Sequence, residues 1–184
     1  MAMQANDVEE KINDLIQRVG DLEGKVAEDH LTLGVMKGDL DYTIAAFIIA
    51  LGAAAYDMEV DMFFTFWATA ALRDPKKAAK KNFLEKMFGW MLPRGTKKLP
   101  LSKMQMAGMG PKMIRGVMKM HNAKSLEELM EEAGKMGVRI HVCTMSMDVM
   151  GIKKEELIDY PHMDYVGVGA FIGMLDRAKR CWFM

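Results

Sequence analysis

The residues with the clearest chemical capacity lie between Gly137 and Ile152, which reads Gly-Val-Arg-Ile-His-Val-Cys-Thr-Met-Ser-Met-Asp-Val-Met-Gly-Ile. Val138, Ile140 and Val142 are β-branched and follow a glycine, which predicts a strand over Val138–Cys143. Thr144, Ser146 and Asp148 can accept hydrogen bonds from the free N–H groups at a helix start, so a short helical turn through Met150 is expected next. Cys143 thereby stands between the carboxyl end of a strand and the amino end of a helix. In α/β sheets that edge is where ligands bind, and the helix's exposed amides favour a thiolate over a thiol. The plainer reading of Cys143 is a small buried hydrophobe.

The elements that must position this thiol belong to a chain of 184 residues, enough for one α/β domain with a substantial core plus appendages. Lys+Arg and Asp+Glu are both 25, so there is no global electrostatic case for nucleic acid or an anionic membrane. No secretory leader is visible, and Cys143 and Cys181 lack metal-type spacing, which together point to a reducing cytoplasm and a free thiol. The 21 methionines, many between Met87 and Met150, suit either ordinary core filling or a surface that adapts to a partner.

Val8, Ile12, Leu15, Ile16, Val19, Leu22 and Val26 predict an amphipathic helix from about Asn6 to Glu28, packing either on its own domain or on a second copy. The domain division is therefore 1–29 for this helix and 30–184 for the α/β domain. Alternation over His30–Met36 predicts the first strand, Lys37-Gly38-Asp39 the turn, and Leu40–Tyr56 a helix. Its apolar run, Thr43–Ala55, is too short to cross a bilayer and suits burial against a sheet. Val60–Phe66 is the expected second strand, covered on both faces, and Trp67–Leu72 at its end is a candidate wall for the thiol site.

Lys76, Lys77, Lys80 and Lys81 are read as a basic helical stretch with a solvated face. Residues 83–120 form a Met-rich excursion, in which Pro93 and Pro100 interrupt Phe88, Trp90, Met104 and Met109; long excursions commonly serve as lids or interfaces. A helix over Lys112–His121 closes it. Ser125-Leu-Glu-Glu128 is a capping box for a helix over Leu126–Met136 that leads into the Cys143 strand. A short polar helix at Lys153–Ile158, a last strand at Tyr165–Val168, a closing helix at Phe171–Lys179 and the apolar end Cys181–Met184 complete the reading.

On these residues the chain resembles the DsrE/DsrF-like family of small sulfur-relay proteins. The resemblance is to the branch with a Cys-x-x-Ser-Met-Asp-x-Met-Gly motif, here Cys143-Thr-Met-Ser146-Met147-Asp148-Val-Met150-Gly151. It covers roughly Leu31 to Leu175, including Met58–Trp67 and Gly89–Gly110. It implies a three-layer α/β/α sandwich with a mostly parallel sheet, self-association, and a cysteine that carries persulfide sulfur between donor and acceptor proteins of the rhodanese and TusA types. Cys143 alone is carried over as the sulfur-bearing residue.

Persulfide transfer needs a nucleophilic thiolate, access for a partner and protection of the outer sulfur. Cys143 at a helix start offers the first, the strand edge the second, and Trp67, Met145 and the Phe88–Met109 segment the third. Asp148 is assigned to capping, because a carboxylate near the sulfur would oppose its ionisation. His141 shares the strand face of Cys143, where helping to stabilise the thiolate is the alternative to the favoured structural or solvent role; His121 and His162 have no metal spacing, and no metal or cofactor is expected. The alternative is a binding or scaffold protein with a Met-rich surface and an incidental cysteine. A flavin- or nucleotide-dependent oxidoreductase is weaker, since Lys37-Gly38-Asp39-Leu40 lacks a Gly-x-Gly-x-x-Gly pattern.

Overall fold

The computed structural model describes residues 2–23 and 28–184. Its centre is a sheet of five parallel strands: β1 (Glu28–Val35), β2 (Glu59–Phe64), β3 (Arg139–Cys143), β4 (Met163–Val166) and β5 (Ala178–Phe183), in the order β4-β3-β2-β1-β5. Helices cover both faces, so the architecture is the expected α/β/α sandwich. Period-two alternation divides the side chains between the two faces. Leu31, Leu33 and Val35 of β1, Val60, Met62 and Phe64 of β2, and Ile140 and Val142 of β3 form one apolar face. Against it lie α2 (Leu40–Ala54) and α5 (Leu126–Lys135), which also pack on each other. The opposite face holds His30, Thr32, Asp61, Phe63, His141 and Cys143, and α7 (Val168–Arg177) lies over part of it.

Local signals account for most boundaries. Asp39 is the N-cap of α2 in extended backbone, and Gly38 before it passes so close to the Trp67 carbonyl that a Cβ would sit 2.2 Å from that oxygen. Ser125 caps α5 through the capping box: its hydroxyl accepts from the Glu128 amide, and the Glu128 carboxylate accepts from the Ser125 amide.

Other expectations are corrected. The strand expected over Val60–Phe66 stops at Phe64, because Phe66 takes a left-handed φ of 46° and opens a 3-10 helix, Phe66–Leu72. The lysine run 76–81 is not helical; Pro75 precedes it and the chain there runs as turn and coil, with only Lys81 buried, against Glu156. The tail beyond the closing helix is a fifth strand, pairing with β1 in the register Thr32↔Cys181 and Leu33↔Trp182. The amphipathic N-terminal helix is α1 (Ala2–Glu23), whose Val8, Ile12, Leu15, Ile16 and Val19 are exposed; Val26 lies outside the described residues and Glu28 belongs to β1.

The excursion is partly ordered by helices of its own, α3 (Phe83–Met91) and α4 (Met109–Met120). It is fastened at several points. The Leu40 amide donates to the Pro100 carbonyl at 2.7 Å, Ser102 donates through its amide and hydroxyl to Asp41, and the Arg73 guanidinium donates to the carbonyls of Gly89, Leu92 and Pro93. Phe83, Trp90, Met91, Met109 and Met120 remain exposed along it.

Candidate functional site

Cys143 ends β3 and is itself the N-cap of α6 (Thr144–Met150). The strand-to-helix junction expected from the sequence is therefore present, and it places the Met145 and Ser146 amides around the sulfur. Two hydroxyls join them. Thr65, just past the end of the neighbouring β2, lies with its Oγ1 2.7 Å from Ser146 Oγ, and both side chains are buried. One hydroxyl must donate to the other, which leaves a second hydroxyl hydrogen free to turn toward the thiol.

Burial pushes the Cys143 thiol up, but the nearby Ser146 hydroxyl and amide, Thr65 hydroxyl and Met145 amide outweigh it, and the thiol is held below its ordinary value. These groups favour the thiolate, which accepts hydrogen bonds more strongly than the thiol does.

The sulfur is more enclosed than expected. Cys143 is 2% exposed and packs with Phe63, Phe171 and Met174, with Val166 and Leu175 at the rim. Phe63 and Phe171 stack at 4.3 Å between ring centroids. The cover thus comes from α7. Trp67 and Met145, expected as shields, are 60% and 56% exposed. The 3-10 segment containing Trp67 does pack on α6, and so does α3: Gly151, in a left-handed turn at the end of α6, abuts Glu85, where an added Cβ would meet Glu85 Cα at 2.8 Å. Asp148 caps nothing. It is exposed on α6 and lines a cleft with Phe83, Glu85 and Phe88, while the cap falls to Cys143 because the helix begins immediately after it.

His141 is held by carboxylates on both sides. Its Nε2 lies 2.8 Å from Asp61 Oδ1 and its Nδ1 2.5 Å from Asp164 Oδ1. Asp61 is also 2.7 Å from His30 Nε2 and accepts from Arg139 Nε at 2.6 Å. Burial would raise the Asp61 carboxyl, but His141 and Arg139 hold it far below the usual range; burial would lower His141, but Asp61 and Asp164 raise it. His141 and Arg139 thus supply the partners that the Asp61 charge in the middle of an apolar strand requires. Asp61 is legible as an anomaly in Val-Asp-Met-Phe-Phe; its partners, on two other strands, are not.

Cys181 lies exposed on β5, three strands from Cys143 and so about 14 Å across the sheet, too far for a disulfide. His121 and His162 are both exposed. Among the described residues no group of three or more His, Cys, Asp and Glu side chains could hold a metal ion, and no helix is long and apolar enough to cross a membrane.

The chain is 53% identical over 142 residues to the uncharacterized protein YrkE of Bacillus subtilis (strain 168), covering 77% of this chain and 88% of that protein. It is 32% identical over 162 residues to the sulfur carrier protein DsrE2 of Allochromatium vinosum, covering 84% of this chain and 97% of that protein. Among solved structures it overlays the ychN protein of E. coli across 84% of this chain and 99% of that one, with a TM-score of 0.46 and 10% identity. The DsrE/DsrF/DrsH-like family is matched over residues 27–183, and the chain belongs to that family.

Proposed function

We propose that the protein is a sulfur carrier in which Cys143 accepts and passes on persulfide sulfur between protein partners. The observation that supports this best is a thiol at a strand-to-helix junction that the hydroxyls of Thr65 and Ser146 and the amides of Met145 and Ser146 hold below its ordinary value, in surroundings otherwise apolar. In the loading step the Cys143 thiolate attacks the outer sulfur of a donor persulfide. A bond forms between Cys143 Sγ and that sulfur, the donor's S–S bond breaks, and the donor leaves as a thiolate. Unloading is the same exchange with an acceptor thiolate as nucleophile, so no oxidant or reductant is consumed. Phe63 and Phe171 exclude stray thiols from the bound sulfur, and α7 has to shift to admit a partner.

Incubation with polysulfide followed by intact-mass measurement tests the reading. One added sulfur on the parent chain, lost in Cys143→Ser and kept in Cys181→Ser, is the expected pattern. A binding or scaffold protein with an incidental cysteine would show no stable addition. Proteins of the rhodanese and TusA types are the donors and acceptors to try. A cytoplasmic location and self-association through the exposed α1 stripe and Met-rich excursion belong to the same proposal.

A further inference from the structure

Residues 73–124 carry fourteen of the chain's 25 basic residues and only two of its 25 acidic ones, although the whole chain is neutral. Part of this charge converges on one place. Beneath α3 the Glu156 carboxylate, 1% exposed, faces three cations: Arg73 at 3.4 Å, Lys81 at 2.5 Å and Arg94 at 3.4 Å. One carboxylate cannot balance three positive groups. Arg73 is further occupied by the carbonyls of Gly89, Leu92 and Pro93, whereas Lys81 and Arg94 are not. The Lys81 side chain is only 5% exposed, and its ammonium, although close to Glu156, makes no properly directed hydrogen bond.

On the other side of Lys81 and Arg94 opens a cavity of about 640 Å³, lined also by Lys86, Lys98, Gly89 and Trp90. No acidic side chain lines it. Among the described residues Lys86 and Lys98 have no ion-pair partner, and the Trp90 ring stands exposed at the cavity. A buried ammonium and a half-buried guanidinium that share one carboxylate with Arg73, two free lysines and an aromatic face around one concave space form an anion receptacle. A solvated basic face would have its cations spread outward and its buried ones neutralised.

We propose that this cavity binds a small polyanion bearing phosphate-type oxygens, either inorganic or as the phosphates of a nucleotide whose base stacks on Trp90. Lys81 and Arg94 anchor the oxygens from below, and Lys86 and Lys98 close over them. The site is separate from the Cys143 thiol: α3 presents Gly89 and Trp90 to the cavity and Phe83, Glu85 and Phe88 to α6. It does not depend on the sulfur-carrier reading.

Isothermal titration calorimetry of the full chain with inorganic pyrophosphate is the test, run beside adenosine diphosphate. One saturable site per chain is expected, weakened at least about tenfold in Lys86→Gln/Arg94→Gln/Lys98→Gln. It should be left as in the parent in Lys103→Gln/Lys112→Gln/Lys119→Gln, which removes the same charge elsewhere on the excursion. Equal affinity for the two probes assigns the site to inorganic polyanions. Tighter diphosphate binding that Trp90→Ala abolishes assigns it to nucleotides. Absence of saturable binding at millimolar probe, or equal weakening by the two triple variants, overturns the proposal. Unchanged circular dichroism of both triples keeps a loss of binding from being a loss of fold.

Discussion

Thr65 Oγ1 and Ser146 Oγ are 2.7 Å apart, although 81 residues separate them in sequence. The contact exists because β2 and β3 are adjacent and parallel, so both segments leave the sheet at the same edge and bring Thr65 and Ser146 beside the sulfur. Each hydroxyl supports the thiolate directly or by orienting the other.

Ser146→Ala and Thr65→Val should therefore each raise the Cys143 thiol. Loss of one hydrogen bond worth about 1 kcal/mol corresponds to roughly fivefold less thiolate below the midpoint. Iodoacetamide alkylation against pH reads this as a slower rate at neutral pH with the plateau at high pH retained. A profile identical to the parent's would remove both hydroxyls from the account.

Phe171→Ala should uncover the sulfur and weaken the fold. Emptying the space between Phe63, Cys143 and Met174 is expected to cost about 3–5 kcal/mol in chemical denaturation. A bulky maleimide should then react with Cys143 much faster, while a small alkylating agent gains less. Equal acceleration for both reagents would indicate general loosening rather than removal of a lid.

The Asp61–His141 pair makes stability depend on pH in both directions. Asp61 is depressed when folded, so its contribution is complete above its unfolded value of 3.8 and is lost as pH falls toward the folded one. His141 is raised when folded, so its contribution is complete below its unfolded value of 6.5 and is lost as pH rises through the folded one. Both act fully between about pH 4 and 6.5, and the denaturation midpoint should peak there. Asp61→Asn leaves His141 and Arg139 without their shared carboxylate, should cost about 3–5 kcal/mol, and should flatten the profile. A parent-like profile in that variant would assign the pH dependence elsewhere.

The exposed stripe of α1 and the exposed residues of the excursion, Phe83, Trp90, Met91 and Met109 among them, are more apolar surface than a solitary domain ordinarily leaves uncovered. Static light scattering is expected to give a homo-oligomer for the full chain. The mass of a version beginning at Glu28 decides where the contact lies: unchanged assembly places it on the excursion, and dissociation places it on α1. A monomeric mass for the full chain at micromolar concentration would end the assembly proposal.

What the sequence by itself determined is local. Alternation in Leu31-Thr-Leu-Gly-Val35 set one face of β1, Ser125 and Glu128 set the start of α5, and Val138–Cys143 followed by Thr144 and Ser146 put the thiol at a strand-to-helix junction. These follow from periodicity and capping, which act over a few residues. Only the tertiary structure decided that β5 pairs with β1, that Phe171 rather than Trp67 covers the sulfur, that Thr65 reaches Ser146, and that Glu156 gathers Arg73, Lys81 and Arg94. Those contacts join residues tens of positions apart. They depend on strand order and on which helix crosses which face, and burial across the whole sheet selects these where local preference cannot.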